Sequence, residues 1–508
     1  MNYAPRASIS FLGTCGRTAA TALASAIMFV LGAFATGSIQ AQTFTTLANF
    51  NQTDGSYPLE LVEGTDGNFY GTTGYGGVNC TSNATSGCGT VFKMTPSGIL
   101  TTLYSFCSQS GCTDGATPFA GLAQGVDGNF YGTTELGGGS GGTFCGTVGG
   151  CGTVFKITPN GMLTTLHTFC SQSNCSDGGI PFTGLVQGVD GNFYGTTEVG
   201  GGGQSFCGVV GCGTVFKITP NGMLTTLYRF CSQSGCADGG FPDAALVQGA
   251  DGNFYGTTEG FGANSEACAQ SGSGDCGTVF KITPGGTLTT LYSFCTQTGC
   301  ADGDSPQAAL IQGADGELYG TTLFGGNSSV NCLATAGTGC GTIFKITTGG
   351  GLTTLYSFCP QSGCADGAIP FGALVQGSDG NLYGTTGLGG AGNAVCQGGI
   401  AGCGTIFKIT AGGALTTLHS FCSQTRCTDG GTPFVGLIQG TNGNFYGTTV
   451  GGGTAGYGTV FSFSTGVGPA NGPFAYVANI NSNTVSVINI PTSTVASTIP
   501  VVGSRCLS

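Results

Sequence analysis

Short apolar runs separated by Gly-, Asp- and Asn-rich turns recur along the chain from Thr43 to Phe463. One unit reads "AALVQG" (Ala244–Gly249), an Asp-Gly turn, "NFYGTT", a Gly-rich stretch, "GTVFKIT" (Gly277–Thr283), a "PGG" turn and "LTTLYSF" (Leu288–Phe294). These runs hold six to eight residues, are rich in Val, Ile, Thr, Tyr and Phe, and lack Pro, which is how strands read. The turns between the first two and the last two runs are short enough to join antiparallel neighbours. No stretch of the repeat has helical periodicity. Each unit therefore predicts four strands, here lettered A to D.

The word "DGNFYGTT" marks the repeat. Its tyrosines are Tyr70, Tyr131, Tyr194, Tyr255, Tyr319, Tyr383 and Tyr446, spaced 61 to 64 residues apart. That period suits a four-stranded blade with generous loops. A, B and C runs occur seven times, but no D run follows the last C run, "GTVFSF" (Gly458–Phe463). A lone D-type run, "TFTTLANF" (Thr43–Phe50), stands instead before the first A run. An N-terminal strand that completes the last blade closes a circular sheet array and leaves only short edges. The expected fold is all-β, a seven-bladed β-propeller of four-stranded blades. The repeated tyrosine and the phenylalanine of "GTVF" (Phe92, Phe155, Phe216, Phe280, Phe344, Phe407, Phe461) are expected to pack between blades.

The words "DGNFYGTT" and "GTVFKITPNGMLTTL", recurring over roughly residues 43–465, resemble the Gloeo/Verruco tandem repeat of secreted bacterial proteins. The resemblance implies an exported propeller-like protein and brings no agreed activity. A different segment, "AYVANINSNTVSVINIPTSTVASTIPVVG" (Ala475–Gly503), resembles one unit of the YVTN β-propeller repeat. One unit cannot close a second ring, so residues 474–508 read as a truncated second module behind a linker at 467–473, with an appended hairpin as the alternative. The first 42 residues read as an export signal: Arg6 and Arg17 precede or flank the apolar "TAATALASAIMFVLGAFA", and small residues offer cleavage between about 35 and 42. An uncleaved membrane anchor is the alternative. The propeller then spans 43–466.

Composition adds a compartment. Of 26 cysteines, 24 recur in pairs, a density that suits an oxidising, secreted, cell-surface or periplasmic setting. One pair per blade brackets the B–C loop: Cys80/Cys88, Cys145/Cys151, Cys207/Cys212, Cys268/Cys276, Cys332/Cys340 and Cys396/Cys403. The other follows strand D: Cys107/Cys112, Cys170/Cys175, Cys231/Cys236, Cys295/Cys300, Cys359/Cys364 and Cys422/Cys427. B–C and D–A loops emerge on the same face of a propeller, so one face is expected to be cross-linked. Local pairing and bridging across the C–D hairpin, as in Cys88 to Cys107, both remain open. The spacings are not those of a zinc site, and no histidine recurs beside them.

The net charge of −12 arises largely from Asp-Gly turns. It still argues against nucleic acid, which requires a basic stripe. Only two histidines exist, His167 and His419, at positions where other blades carry Tyr104, Tyr228, Tyr292 and Tyr356. They form no catalytic constellation, and no catalytic residue is assigned. The repeated lysine (Lys93, Lys156, Lys217, Lys281, Lys345, Lys408) reads as a solvated strand position. The sevenfold pattern breaks after "YGTT", where Glu135, Glu198 and Glu259 stand in consecutive blades and Gly74, Leu323, Gly387 and Val450 in the others. Three carboxylates on neighbouring loops are a candidate site for a Ca²⁺ ion or a sugar; the alternative is a solvent-facing residue copied during duplication. No other cofactor is implied. The expected function is a monomeric, exported binding or scaffold module, with carbohydrate or another surface protein as partner and contact with the membrane only through the export signal. A propeller enzyme, lactonase-like or polysaccharide-acting, and a surface structural protein that has lost its anchor are the alternatives.

Overall fold

The strand-and-turn pattern builds seven four-stranded antiparallel sheets. The computed structural model describes residues 42–466 apart from 80–87, 140–144, 146–149, 203–206, 208–210, 265–275, 328–331, 333–338, 361–362, 393–395 and 397–401. It also describes three strands beyond them, Phe474–Asn479, Thr484–Asn489 and Thr494–Pro500, which pair in order as an antiparallel sheet. The expected export segment (residues 1–41), the linker 467–473 and Cys506 lie outside the described residues.

Blade 1 runs Ser56–Glu63, Phe69–Tyr75, Thr90–Met94 and Leu100–Ser105, in that spatial order. Blade 7 takes three strands from its own repeat, Ile438–Gln439, Phe445–Thr449 and Thr459–Ser464, and its fourth is Thr43–Asn49 from the other end of the chain. The two ends pair from Thr43↔Ser464 to Asn49↔Thr459, with a bulge between Thr46 and Ala48. Circular closure is thus present as expected. Strand A is shorter than its apolar run suggests. In blades 2 to 7 its ladder is two residues long, as in Val186–Gln187. Upstream of that pair the segment bonds to the preceding blade instead: Thr133 Oγ1 donates to Thr183 O at 2.9 Å, and Thr448 Oγ1 to Pro58 O at 3.0 Å.

The apolar core lies between blades, in seven clusters that each join one blade to the next. This explains the repeated word residue by residue. At five junctions the tyrosine ring packs on the phenylalanine of the following blade, with centroids 4.0 Å apart for Tyr70–Phe130 and 4.2 Å for Tyr446–Phe69; at the other two Tyr255 and Tyr319 meet Leu318 and Leu382. The tyrosine hydroxyl donates to the turn aspartate, as from Tyr131 to Asp127 at 2.8 Å, so a buried phenol keeps a partner. The glycine makes room for the "GTVF" ring: a Cβ on Gly132 would stand 2.6 Å from Phe155. The first threonine bonds to the next blade, and the second bonds within its own, as Thr134 to Thr153 at 2.9 Å.

A further ring of bonds runs around the A–B turns. A turn amide in each blade donates to the strand-A Gln side chain of the next, as Val126 N to Gln187 Oε1 at 3.0 Å. At the closing junction Glu63 replaces the glutamine and accepts from Thr441 N and Oγ1, both at 2.8 Å. Among the described residues no helix is long and apolar enough to cross a membrane.

Candidate functional site at the mouth of the central channel

The cysteine connectivity that spacing left open is local. Bonds join Cys107–Cys112, Cys145–Cys151, Cys170–Cys175, Cys207–Cys212 and Cys231–Cys236. They also join Cys295–Cys300, Cys332–Cys340, Cys359–Cys364, Cys396–Cys403 and Cys422–Cys427. Cys276 is disulfide-bonded as well; Cys80 and Cys268 lie outside the described residues. The two cystines of a blade pack on each other, with the four sulfurs of Cys332, Cys340, Cys359 and Cys364 within 4.8 Å.

These loops position the start of strand A. In every blade the residue before the strand-A proline is non-glycine with a left-handed backbone, from Tyr57 (φ 64°) through Ile180 (φ 53°) to Thr432 (φ 59°). Such a conformation is costly for a side chain bearing a Cβ, more so before proline, and persists where surrounding bonds over-determine it. Two main-chain bonds do so here. Ile180 N donates to Cys151 O at 2.8 Å, and Ile180 O accepts from Glu198 N at 3.0 Å. Thr117 and Phe241 hold Glu135 N and Glu259 N in the same way, at 2.9 and 2.8 Å. Each carboxylate position is therefore tied, through one strained residue, to a cystine loop and to the residue that follows the proline.

Those residues surround a cavity of about 480 Å³, on the axis where the A strands meet. Small side chains such as Gly121, Ala245 and Ala309 form its wall. Around the mouth runs a crescent of rings: Phe371 and Phe434 (centroids 4.5 Å apart), Tyr57 beside Phe434 at 5.9 Å, and Phe119 stacked on Phe182 at 5.3 Å. Tyr75 bridges Tyr57 and Phe119 at 5.7 and 5.3 Å. Phe182 is 37% exposed, unusual for so large an apolar side chain. Blades 4 and 5 break the crescent, with Asp243 and Gln307 in place of the aromatic residue.

One of the three glutamates reaches the cavity beside this gap. Glu198 lines it directly. Burial raises its pKa, and the neighbouring Glu259 raises it further. Glu135 is pushed up to about 7 by burial and then by Glu198. Glu60, also in the lining, is raised by burial. Desolvation and like charge both favour the neutral acid. The structure thus brings the three glutamates into one electrostatic group. It adds Glu60, Asp243, Gln307 and the ring crescent, which counting only the residue after "YGTT" had missed. The signal was present in the strand-A starts, "TPFAGL", "IPFTGL", "FPDAAL", "SPQAAL", "IPFGAL" and "TPFVGL". His167 and His419 are not in the lining; they sit on outer strands, 3.2 Å from Asp177 and 3.5 Å from Asp429. Lys93 forms an ion pair with Asp66 at 2.8 Å.

Glu135 imposes a pH signature. Its ordinary pKa of 4.5 applies in the unfolded chain and about 7 in the fold. Between these values the native state binds more protons, so stability falls as pH rises through the window. Glu135→Gln is expected to remove that slope and to gain ~1–2 kcal/mol at pH 8 relative to the parent. Urea titrations at pH 5 and pH 8 measure it; parallel pH profiles for parent and variant would refute the assignment.

An all-β ring of duplicated blades, with a lined mouth on the cystine-bearing face, defines a repeat β-propeller. The chain belongs to the Gloeobacter/Verrucomicrobia repeat family, whose model matches residues 31–206, 142–396 and 267–498. No curated protein matches it. Among solved structures, a catalytically inactive virginiamycin B lyase from Staphylococcus aureus, solved with quinupristin, is similar at 14% identity and TM-score 0.49, covering 83% of this chain and 99% of that one. A putative glucose dehydrogenase of Thermus thermophilus is similar at 17% identity and TM-score 0.38, covering 68% and 96%. The PQQ-bound aldose sugar dehydrogenase of Streptomyces coelicolor is similar at 11% identity and TM-score 0.38, covering 83% and 98%.

Proposed function

We propose that this protein is an exported binding module whose ligand seats in the channel mouth on the cystine-bearing face. The observation that carries the reading is where the sevenfold pattern breaks. Packing positions repeat in all seven blades, whereas the mouth positions vary: Phe119, Phe182, Asp243, Gln307, Phe371 and Phe434 around one rim, with Glu198 in the same lining and Glu135 and Glu259 at the matching positions of the adjacent blades. A ring that served only as a scaffold has no reason to depart from its repeat at one mouth. The volume lies within the range of small-molecule sites, and a mostly apolar lining with few convergent polar groups is what such sites share. Export is supported by the local disulfides, ten of them between described residues, which persist in oxidising compartments, and by the apolar N-terminal run.

Calorimetric titration of the oxidised chain against panels of glycans, amines and divalent cations tests this. At least one class is expected to bind, with affinity reduced at least tenfold by Phe182→Ala and unchanged by Val126→Ser and Val189→Ser, residues 92% exposed on A–B turns of the opposite face. Binding indifferent to Phe182, or none in any panel, would overturn the proposal.

A further inference from the structure

We infer that the mouth selects an organic cation, an amine or quaternary ammonium group carried on an apolar body, over a neutral sugar or a bare metal ion. The inference rests on the binding-module reading above and names its ligand class. Two halves of the mouth argue for it together. On one side Phe371, Phe434, Tyr57, Phe119 and Phe182 turn ring surface toward a single space, and ring faces attract cations. On the other stand Glu198 and Asp243, in the lining itself, with Glu135 and Glu259 coupled electrostatically to Glu198. The lining carries no Lys, Arg or His to neutralise them.

Glu60 strengthens the case. Its carboxylate lies against blade 2, where a Cβ on Gly121 would stand 2.8 Å from Oε2. No hydrogen bond or ion pair to it occurs among the described residues, and burial alone raises its pKa. A half-buried acid facing a cavity, with no such partner among the described residues, is stabilised by whatever cation enters. Ca²⁺ suits the site poorly, because it takes six to eight oxygen ligands and five aromatic rings share the lining with the carboxylates. A neutral sugar would leave the acid group as crowded as before. An organic cation satisfies both halves at once.

The proposal carries a proton signature. Glu198 acts on Glu135, Glu259 acts on Glu198, and Glu135 in turn raises the nearby Tyr75 phenol. A cation favours the ionised acids, so its binding releases protons near neutral pH. The probe is benzyltrimethylammonium, titrated calorimetrically into the oxidised chain at pH 6 and pH 8 in buffers of different ionisation heat. Benzyl alcohol, methyl glucoside and Ca²⁺ are the comparisons. Affinity is expected to rise about tenfold from pH 6 to pH 8, with proton release at pH 6.5. Glu198→Gln and Phe182→Ala are each expected to weaken binding at least fivefold. Methyl glucoside binding lost in Phe182→Ala but kept in Glu198→Gln would overturn the cation class and leave the binding module standing. Ca²⁺ binding lost in Glu198→Gln but kept in Phe182→Ala would do the same. No binding by any probe, or binding indifferent to both variants, would overturn this inference, and indifference to Phe182 would overturn the module reading with it. Should Glu198→Gln misfold, the pH dependence and proton release of the parent decide alone.

Discussion

Removal of residues 42–50 is expected to abolish cooperative unfolding of the propeller. The deletion takes away the whole outer strand of blade 7, with its six residue pairs to Thr459–Ser464. It also strips Phe50 (1% exposed) and Ala48 (7%) from the cluster that joins blade 7 to blade 1 around Phe69 and Tyr446. Loss of a buried phenylalanine alone costs about 3–5 kcal/mol. The unpaired edge of Thr459–Ser464 then becomes a template for another chain. A domain holds only about 5–15 kcal/mol in total, so the truncated chain is expected to associate and to melt without a sharp transition. Gel filtration and thermal circular dichroism measure this, and a peptide of residues 42–50 added in trans is expected to restore part of the transition. A monomeric truncated chain melting within a few degrees of the parent would refute the role given to closure.

Asp238→Ala is expected to have the second largest effect. Asp238 is fully buried and accepts from Tyr228 Oη at 2.8 Å, Ser232 N at 2.9 Å, Ser232 Oγ at 3.0 Å and Gln233 N at 3.1 Å. Those donors belong to strand D and the Cys231–Cys236 loop, so one carboxylate shapes the loop that holds the mouth. Alanine leaves two backbone amides and one hydroxyl without an acceptor, since Tyr228 Oη and Ser232 Oγ lie 2.7 Å apart and can bond to each other. The expected loss is about 3–4 kcal/mol, since hydrogen bonds to charged groups are worth roughly 1.5–3 each and buried orphans cost about 1–3. Asp238→Asn, which keeps volume but only one acceptor oxygen, is expected to lose about half as much. Urea denaturation decides; a change below about 1 kcal/mol would show that the loop holds its form without the carboxylate. In blades 2 and 6 of the ring the phenol is replaced by imidazole: burial raises the Asp177 and Asp429 carboxylates, but His167, His419 and nearby serines outweigh it and hold them below the usual range.

The architecture was readable because a ring demands the same surfaces at each junction. "DGNFYGTT" carries a turn acceptor, a packing ring, a clearance and two threonine links, and each can be counted along the chain, seven times for all but the aspartate, which Asn442 replaces in the last blade. Closure was readable from the missing D run after Phe463. The disulfide partners were not, because all four cysteines of a blade converge and spacing alone does not separate near neighbours from nearest. Strand A misled in length: its residues look like a strand, but at the centre of a ring they turn their carbonyls to the neighbouring blade. The mouth was half readable. Glu135, Glu198 and Glu259 broke a conspicuous word, whereas Asp243 and Gln307 broke the less conspicuous "PF" at the start of strand A. Glu60 was hidden further, because blade 1 has five residues between its proline and the glycine that opens the A–B turn, where the other blades have six.

The paired main-chain bonds that pin each pre-proline residue also separate what can change from what cannot. The side chain after each proline projects from a backbone that holds itself, without help from that side chain. Exchange of one blade's rim residue for another's, as unequal crossing-over between near-identical copies would bring about, leaves the framework untouched and redraws the recess. The same duplication history that made the molecule monotonous thus gives its descendants a combinatorial route to new preferences, one rim position at a time.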